Sequence, residues 1–300
     1  MFRWGLVLGL VGVMMMAAGC GGPPVPAPQL DRQLAFELTA AAAAMTPRHS
    51  GTSGARRQAE FIAARARDYG AAVAVDTFDD LTPYGPLTFR NVVAEVPGRS
   101  RRVVVVGCHY DAKKLLTAPD FAAANDGASG VGTLLAVIKA LTAAPVPPRY
   151  TVRFVFFDGE ECLVEYGPHD GLHGSRHYVE GLQQRGELGR CRAMILLDMI
   201  GDRDLTVMIP AESDPELRDI CRQSAAKLGY EKYFVPSATR MLDDHTPFVR
   251  AGIPAIDLID FSYGPDNSYW HTGGDTMDKI AATSLQTVGN TVLEMLYRLP

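Results

Sequence analysis

The chain has 300 residues, 47% hydrophobic and 21% charged, which is enough apolar material for one large domain or two small ones. Its formal net charge is -5, and no basic stripe is present to neutralise phosphates, so a nucleic-acid partner is excluded. In chain order, Arg3 precedes an apolar run, Trp4 to Met16, that leads into Ala17-Ala18-Gly19-Cys20. The run is too short to read as a membrane span and has the form of a secretory signal. GGPPVPAPQ then reads as a short extended tether. Asp31 to Met45 is Ala-rich and predicts a helix with Asp31 near its N-cap. SGTSG is a turn, and Ala55 to Tyr69 predicts a second helix closed by Gly70. Strand-like runs follow at Ala72 to Thr77, Thr88 to Val96 and Val103 to Gly107. VVVVG is continuous and β-branched, as expected of a strand buried on both faces. Gly127 to Leu141 predicts a helix, Val152 to Phe157 a strand and Gly174 to Leu182 a helix. Ala193 to Leu197 and Leu205 to Ile209 predict strands, and Pro215 to Leu228 a helix. Thr246 to Ala251 is a short helix, Ala255 to Ile259 a strand, and Ser284 to Tyr297 the closing helix.

Alternating strands and helices predict one α/β domain: a three-layer α/β/α sandwich around a central, mostly parallel mixed sheet. Segments 112–125, 162–173 and 260–278 read as loops, where function concentrates. Small residues immediately before Cys20 resemble a bacterial lipoprotein signal, in which the Cys becomes a lipidated N-terminus. Ala17 departs from the bulky aliphatic residue usual three places before such a Cys, and an ordinary signal peptide is the alternative. The expected organisation is a signal at 1–20, a tether at 21–30 and a catalytic domain at 31–300. The expected location is the bacterial cell envelope, after export, with membrane attachment by the lipid alone. Cys108, Cys162, Cys191 and Cys221 fit no small disulfide framework and are expected as buried thiols.

The chemistry concentrates in FFDGEE. An apolar strand delivers Glu160 and Glu161, so that one carboxylate can bind a metal while its neighbour moves a proton. His109 and Asp111 in CHYD, Asp126 in ANDGASG, Asp198 in LLDMIGD and His271 in YWHT sit at or just past apolar runs. Oxygen and imidazole ligands without thiolates favour zinc in a catalytic site. His169, His173 and His177 are expected on the surface or in the loop, His245 as a cap or bond within the short helix, and Lys113 and Lys114 as solvated. Tyr263 and Tyr269 either gate the site or pack the long loop.

FFDGEE with YGPHDGLHGSRH, LTPYGPLTFRNVVAEV, CHYDAK, LLDMIGD, LDDHTPF and YWHT, in that order, resembles the secreted glutaminyl cyclases over roughly 31–300. Those enzymes turn N-terminal glutamine into pyroglutamate and share their fold with zinc aminopeptidases. The resemblance implies one zinc on Asp126, Glu161 and His271. It implies Glu160 as proton shuttle with Asp198 and Asp243 beside it, and Trp270 as pocket wall. Tyr166 stands where vertebrate cyclases have a second pocket tryptophan, and Asp257 replaces a histidine. Val131 stands where the disulfide partner of Cys108 would be, so Cys108 is expected unpaired. A peptide N-terminus is then the substrate. The rival is a two-zinc aminopeptidase, in which His109, Asp126 and Asp198 hold a second ion and Asp111 orients His109. A third reading is a non-catalytic lipoprotein with a relic site.

Overall fold

Residues 26–300 are described by a computed structural model; the expected signal with Cys20, and the tether up to residue 25, lie outside the described residues. The valine and phenylalanine runs form the centre of an eight-stranded sheet. Its strands are β1 (Ala72–Thr82), β2 (Gly85–Val96), β3 (Ser100–His109), β4 (Tyr150–Phe157), β5 (Cys191–Asp198), β6 (Val207–Ile209), β7 (Phe234–Pro236) and β8 (Ala255–Ile259), in the spatial order β1-β2-β4-β3-β5-β8-β6-β7. β4, β3, β5 and β8 are mutually parallel, β1, β2 and β4 pair antiparallel, and β6 joins β8 antiparallel and β7 parallel.

The helices are α1 (Arg32–Ala43), α2 (Ser53–Asp68), α3 (Ala128–Thr142), α4 (His173–Gln184), α5 (Pro215–Leu228), α6 (Thr246–Arg250) and α7 (Ala282–Arg298). Asp31 caps α1 as expected, its carboxylate accepting from Gln33 N and Leu34 N at 3.1 Å. Period-two alternation sorts the sheet's side chains between two helical layers. Val104, Val106 and Cys108 face α1, α2, α3, α5 and α7, while Val103 and Val105 face α4 and α6. All four valines are at most 3% exposed, which explains an uninterrupted apolar run in place of an alternating one. Packing begins at Leu30, whose backbone N–H donates to Asn290 Oδ1 at 2.7 Å.

Two elements differ from expectation. β1 continues to Thr82, and β7 is a short extra strand. The far half of β1 is solvated and acidic, so it carries no apolar pattern; its pairing with β2 makes it a strand. Cys108, Cys162, Cys191 and Cys221 are all buried and free, as expected. No helix among the described residues is long and apolar enough to cross a membrane.

Candidate active site

In an open α/β sheet the ligand crevice lies beyond the carboxyl ends of the parallel strands, and the predicted residues meet there. β3 ends on His109, β4 runs into Asp158–Glu161, and β5 ends on Asp198. The other two members arrive differently. Asp126 sits in the turn entering α3, and His271 on the loop after β8. Gly127 permits that turn at φ +93°, where a Cβ would lie 2.8 Å from the Asp111 carbonyl and 3.1 Å from the His109 ring. His271 itself has φ +52°, an uncommon conformation for a side-chain-bearing residue that occurs where surrounding structure enforces it.

Asp126 is the hub. Its Oδ1 is 3.2 Å from His109 Nε2 and its Oδ2 is 3.2 Å from His271 Nε2. Glu161 Oε1 is 3.0 Å from His271 Nε2, and Asp198 Oδ1 is 3.1 Å from His109 Nε2. Two triads result, Asp126–Glu161–His271 and His109–Asp126–Asp198, sharing Asp126. Asp126 Oδ2 and Glu161 Oε2 are buried with no hydrogen-bond partner among the described residues. Ligands on one tetrahedral ion at bonds of about 2.0–2.1 Å stand about 3.3 Å apart. The donor set and its spacing therefore fit zinc, and these two oxygens, which have only the ion-pair neighbours His271 Nε2 and Lys113 Nζ, are atoms an ion would satisfy.

The same clustering governs the charges. Burial opposes ionisation of Asp126, but His109 and His271 outweigh it and hold its carboxyl below the usual carboxylate range. Burial likewise opposes the charge on His271, yet Asp126 and Glu161 lift it to about 10. Burial, then Glu161 and Asp243, push the Glu160 carboxyl well above its ordinary value. Burial, then Asp198 and Asp244, do the same to Asp243. Glu160 belongs to neither triad, and Tyr166 Oη donates to its Oε1 at 2.8 Å. Tyr166 therefore touches the predicted shuttle directly, a contact beyond the pocket-lining role expected of it. Trp270 is half-buried and stacked on His271, ring centroids 4.0 Å apart, with Phe261 edge-on at 4.9 Å.

Several expectations are corrected. Asp111 Oδ1 is 3.7 Å from His109 Nδ1, too far for a hydrogen bond. Its two oxygens instead accept the backbone N–H groups of Glu160 and Glu161, each at 3.2 Å, so it fixes the turn that presents the pair. Lys113 is not solvated: its Nζ lies 3.4 Å from Glu161 Oε2 and donates to Cys162 Sγ at 3.0 Å, drawn in by the buried carboxylate. His173 is buried, stacked on Phe89 and paired with Asp80 at 2.7 Å, so it serves the α4–β1 junction. His177 pairs with Asp76 across the same junction, and His169 is exposed. His245 makes no side-chain cap; it is enclosed between Glu212 and Asp257. Tyr263 packs, fully buried, and donates to Asp275 Oδ1 at 2.7 Å.

Two residues escaped the sequence reading. Asp275 accepts from Asn125 N at 2.8 Å and Asp126 N at 3.1 Å, strapping the His271 loop to the Asp126 turn. Arg48 is buried and donates to the carbonyls of Tyr110, Ala122, Ala123 and Asp126, holding the floor of the same turn. Neither lies in an apolar run or a motif, and only their long-range contacts reveal them.

Comparison with known proteins follows this geometry. The model of "Peptidase family M28" matches residues 91–296. The glutaminyl-peptide cyclotransferase of Drosophila melanogaster is 30% identical over 260 residues, covering 79% of this chain and 72% of the fly protein. Among solved structures, an Acidobacteriales bacterium glutaminyl cyclase superposes with a TM-score of 0.87 at 36% identity, covering 94% of this chain and 98% of that one. A leucine aminopeptidase precursor from Bacteroides thetaiotaomicron superposes with a TM-score of 0.82 at 27% identity, covering 92% and 100% respectively. With strands, turn and loop delivering the two triads to one crevice, this chain belongs to peptidase family M28, in the branch that holds the glutaminyl cyclases.

Proposed function

We propose that the protein converts the N-terminal glutamine of peptides to pyroglutamate with release of ammonia, using one zinc ion on Asp126, Glu161 and His271. Bound there, the ion supplies Lewis-acid polarisation of the substrate's γ-carbonyl. Glu160 takes a proton from the attacking α-amine and returns one to the departing nitrogen. A group that both takes and gives a proton needs a pKa near neutrality, and burial beside Glu161 and Asp243 moves Glu160 in that direction. Asp198 and Asp243 carry the surrounding charge and share its protons. Trp270 walls the pocket in which the glutamine side chain curls back on its own amine, and that positioning is a large part of the rate. The observation that carries this reading is the unligated Glu160, held by Tyr166 beside the Asp126–Glu161–His271 triad.

The test is ammonia release from a Gln-initiated dipeptide by the zinc-loaded protein, with zinc counted per chain. A second reading, a two-zinc aminopeptidase, is favoured by the spacing of His109, Asp126 and Asp198, which matches the first triad. Two zinc ions per chain with cleavage of a leucine anilide, and no ammonia from the dipeptide, decide for it. Export and lipid attachment at Cys20 belong to the same proposal. They are supported by the residues before Cys20, and the mass of the mature N-terminus tests them.

A further inference from the structure

The two ends of the sheet carry opposite charge. The site's carboxylates lie at the carboxyl ends of the parallel strands. β1 runs in the same direction as β4, since each pairs antiparallel with β2, and so brings Asp79 and Asp80 to that end as well. At the amino ends the sign reverses. GRSRR places Arg99, Arg101 and Arg102 at the start of β3, and Arg149 directly precedes β4. The two segments adjoin, Ser100 N donating to the Arg149 carbonyl at 2.8 Å. Arg102 and Arg149 both lie over the Tyr150 ring, 5.7 and 5.4 Å from its centroid. All four arginines are exposed. The carboxylates at this end are held by other cations: Glu95 by Arg153, Glu187 by Arg153, Arg185 and Arg190, and Glu216 by Arg192. Among the described residues Arg99, Arg101, Arg102 and Arg149 are therefore left without an ion-pair partner.

We propose that this arginine face docks on an anionic phospholipid bilayer and turns the active site away from it. The proposal rests on the export and anchoring read at Cys20, not on the cyclase chemistry, and attachment is then not by the lipid alone. Guanidinium groups match phosphate in shape as well as charge, and basic residues clustered beside an anchor are drawn to anionic headgroups. The tether is long enough. Leu30 is fixed to Asn290 on α7, eight residues or about 12 Å before the helix ends at Arg298. Tyr150 Oη donates to the Pro300 carbonyl, so that helix end stands beside the arginine face. The ten residues from Cys20 to Leu30 span up to about 35 Å, enough to set the face on the bilayer that holds the lipid. Charge then decides the orientation. With a formal net charge of -5 the rest of the chain is repelled by an anionic surface, and the arginine face is the end it presents. His109 lies seven residues of β3, about 23 Å, beyond Arg102, open to peptides in solution. Four arginines on an acidic chain are too small a footprint for a nucleic-acid backbone, in agreement with the composition.

The test is co-sedimentation of the unlipidated chain from residue 21 onward, which keeps the whole described core, with vesicles of phosphatidylglycerol or of phosphatidylcholine. Binding to phosphatidylglycerol alone, lost at high salt, is expected. Arg101→Gln with Arg102→Gln should weaken it about 25-fold, near fivefold for each arginine, while Arg101→Lys with Arg102→Lys should keep most of it. Arg56→Gln with Arg57→Gln, the same charge change at the start of α2, should weaken it by at most about threefold. Equal binding by wild type and Arg101→Gln with Arg102→Gln, an equal loss in the α2 pair, or no preference for phosphatidylglycerol would overturn the proposal. So would release of the protein from vesicles by duplex DNA. If Arg101→Gln with Arg102→Gln does not fold, Arg99→Gln with Arg149→Gln decides. Vesicle binding is read without turnover, so failure here leaves the cyclase reading standing, and absence of ammonia release leaves this one standing.

Discussion

Replacing Tyr166 by phenylalanine removes one hydroxyl and keeps the ring. That hydroxyl donates to Glu160 Oε1 at 2.8 Å and is the only hydrogen bond the Glu160 side chain has among the described residues. A hydrogen bond to a charged group contributes about 1.5–3 kcal/mol. Tyr166 is 38% exposed, so water can reach the vacated position and the low end of that range applies. At about 1.4 kcal/mol per factor of ten, kcat should fall roughly tenfold. KM should stay nearly constant, because the ring still walls the pocket and Glu160 does no work until the proton moves. The assay is steady-state ammonia release from a Gln-initiated dipeptide by zinc-loaded Tyr166→Phe and wild type. A residue that only lines the pocket predicts no change, since phenylalanine lines it equally well. A kcat within twofold of wild type, or a loss carried by KM alone, would refute the reasoning.

Glu160→Gln should retain its zinc while losing turnover by about 10²-fold or more, the usual size of a general acid–base contribution; activity within a few fold of wild type would exclude Glu160 as the shuttle. His109→Ala should leave zinc near one per chain at the Asp126–Glu161–His271 triad and preserve much of the ammonia release. A fall from two ions to one with loss of anilide cleavage would promote the peptidase reading. Stability should also depend on Asp260, whose carboxyl burial pushes up to about 7 against the N–H bonds of Thr206 and Ser262. The unfolded carboxyl titrates near about 3.9, so between about pH 4 and 7 the folded state holds the extra proton and stability falls as pH rises through that window. Asp260→Asn should flatten that part of the urea-midpoint profile; an unchanged slope would show that other carboxyls set it.

The strands that build the core were readable because burial on both faces leaves a run of valine or phenylalanine that little else produces. Val103–Val106 and Phe154–Phe157 are such runs, and their ends led directly to His109, Glu160 and Glu161. The far half of β1 left no such trace. Asp79 and Asp80 point into solvent or to α4, and only the register with β2, which runs on to Thr82 opposite Gly85, shows that the strand continues past Thr77. β7 is three residues long and ends on Pro236, below what any periodicity can resolve.

The site divides along the same line. Ligand types at strand ends follow from local sequence, but which side chain faces which does not. Lys113 looked like one of two solvated lysines until the fold brought Glu161 and Cys162 to its ammonium. One signal was nevertheless present in the sequence. Asp257 interrupts the apolar run AIDLI, and every residue of β8 is buried. A carboxylate cannot sit in such a strand without a proton, a cation or hydrogen-bond donors facing it. Its backbone N–H reaches Ser213 Oγ, but its two oxygens face only His245 and the other acids. An acidic residue inside a doubly buried strand therefore marks a charge-compensated site. In this chain that mark pairs directly with Leu196, two positions before β5 ends at Asp198.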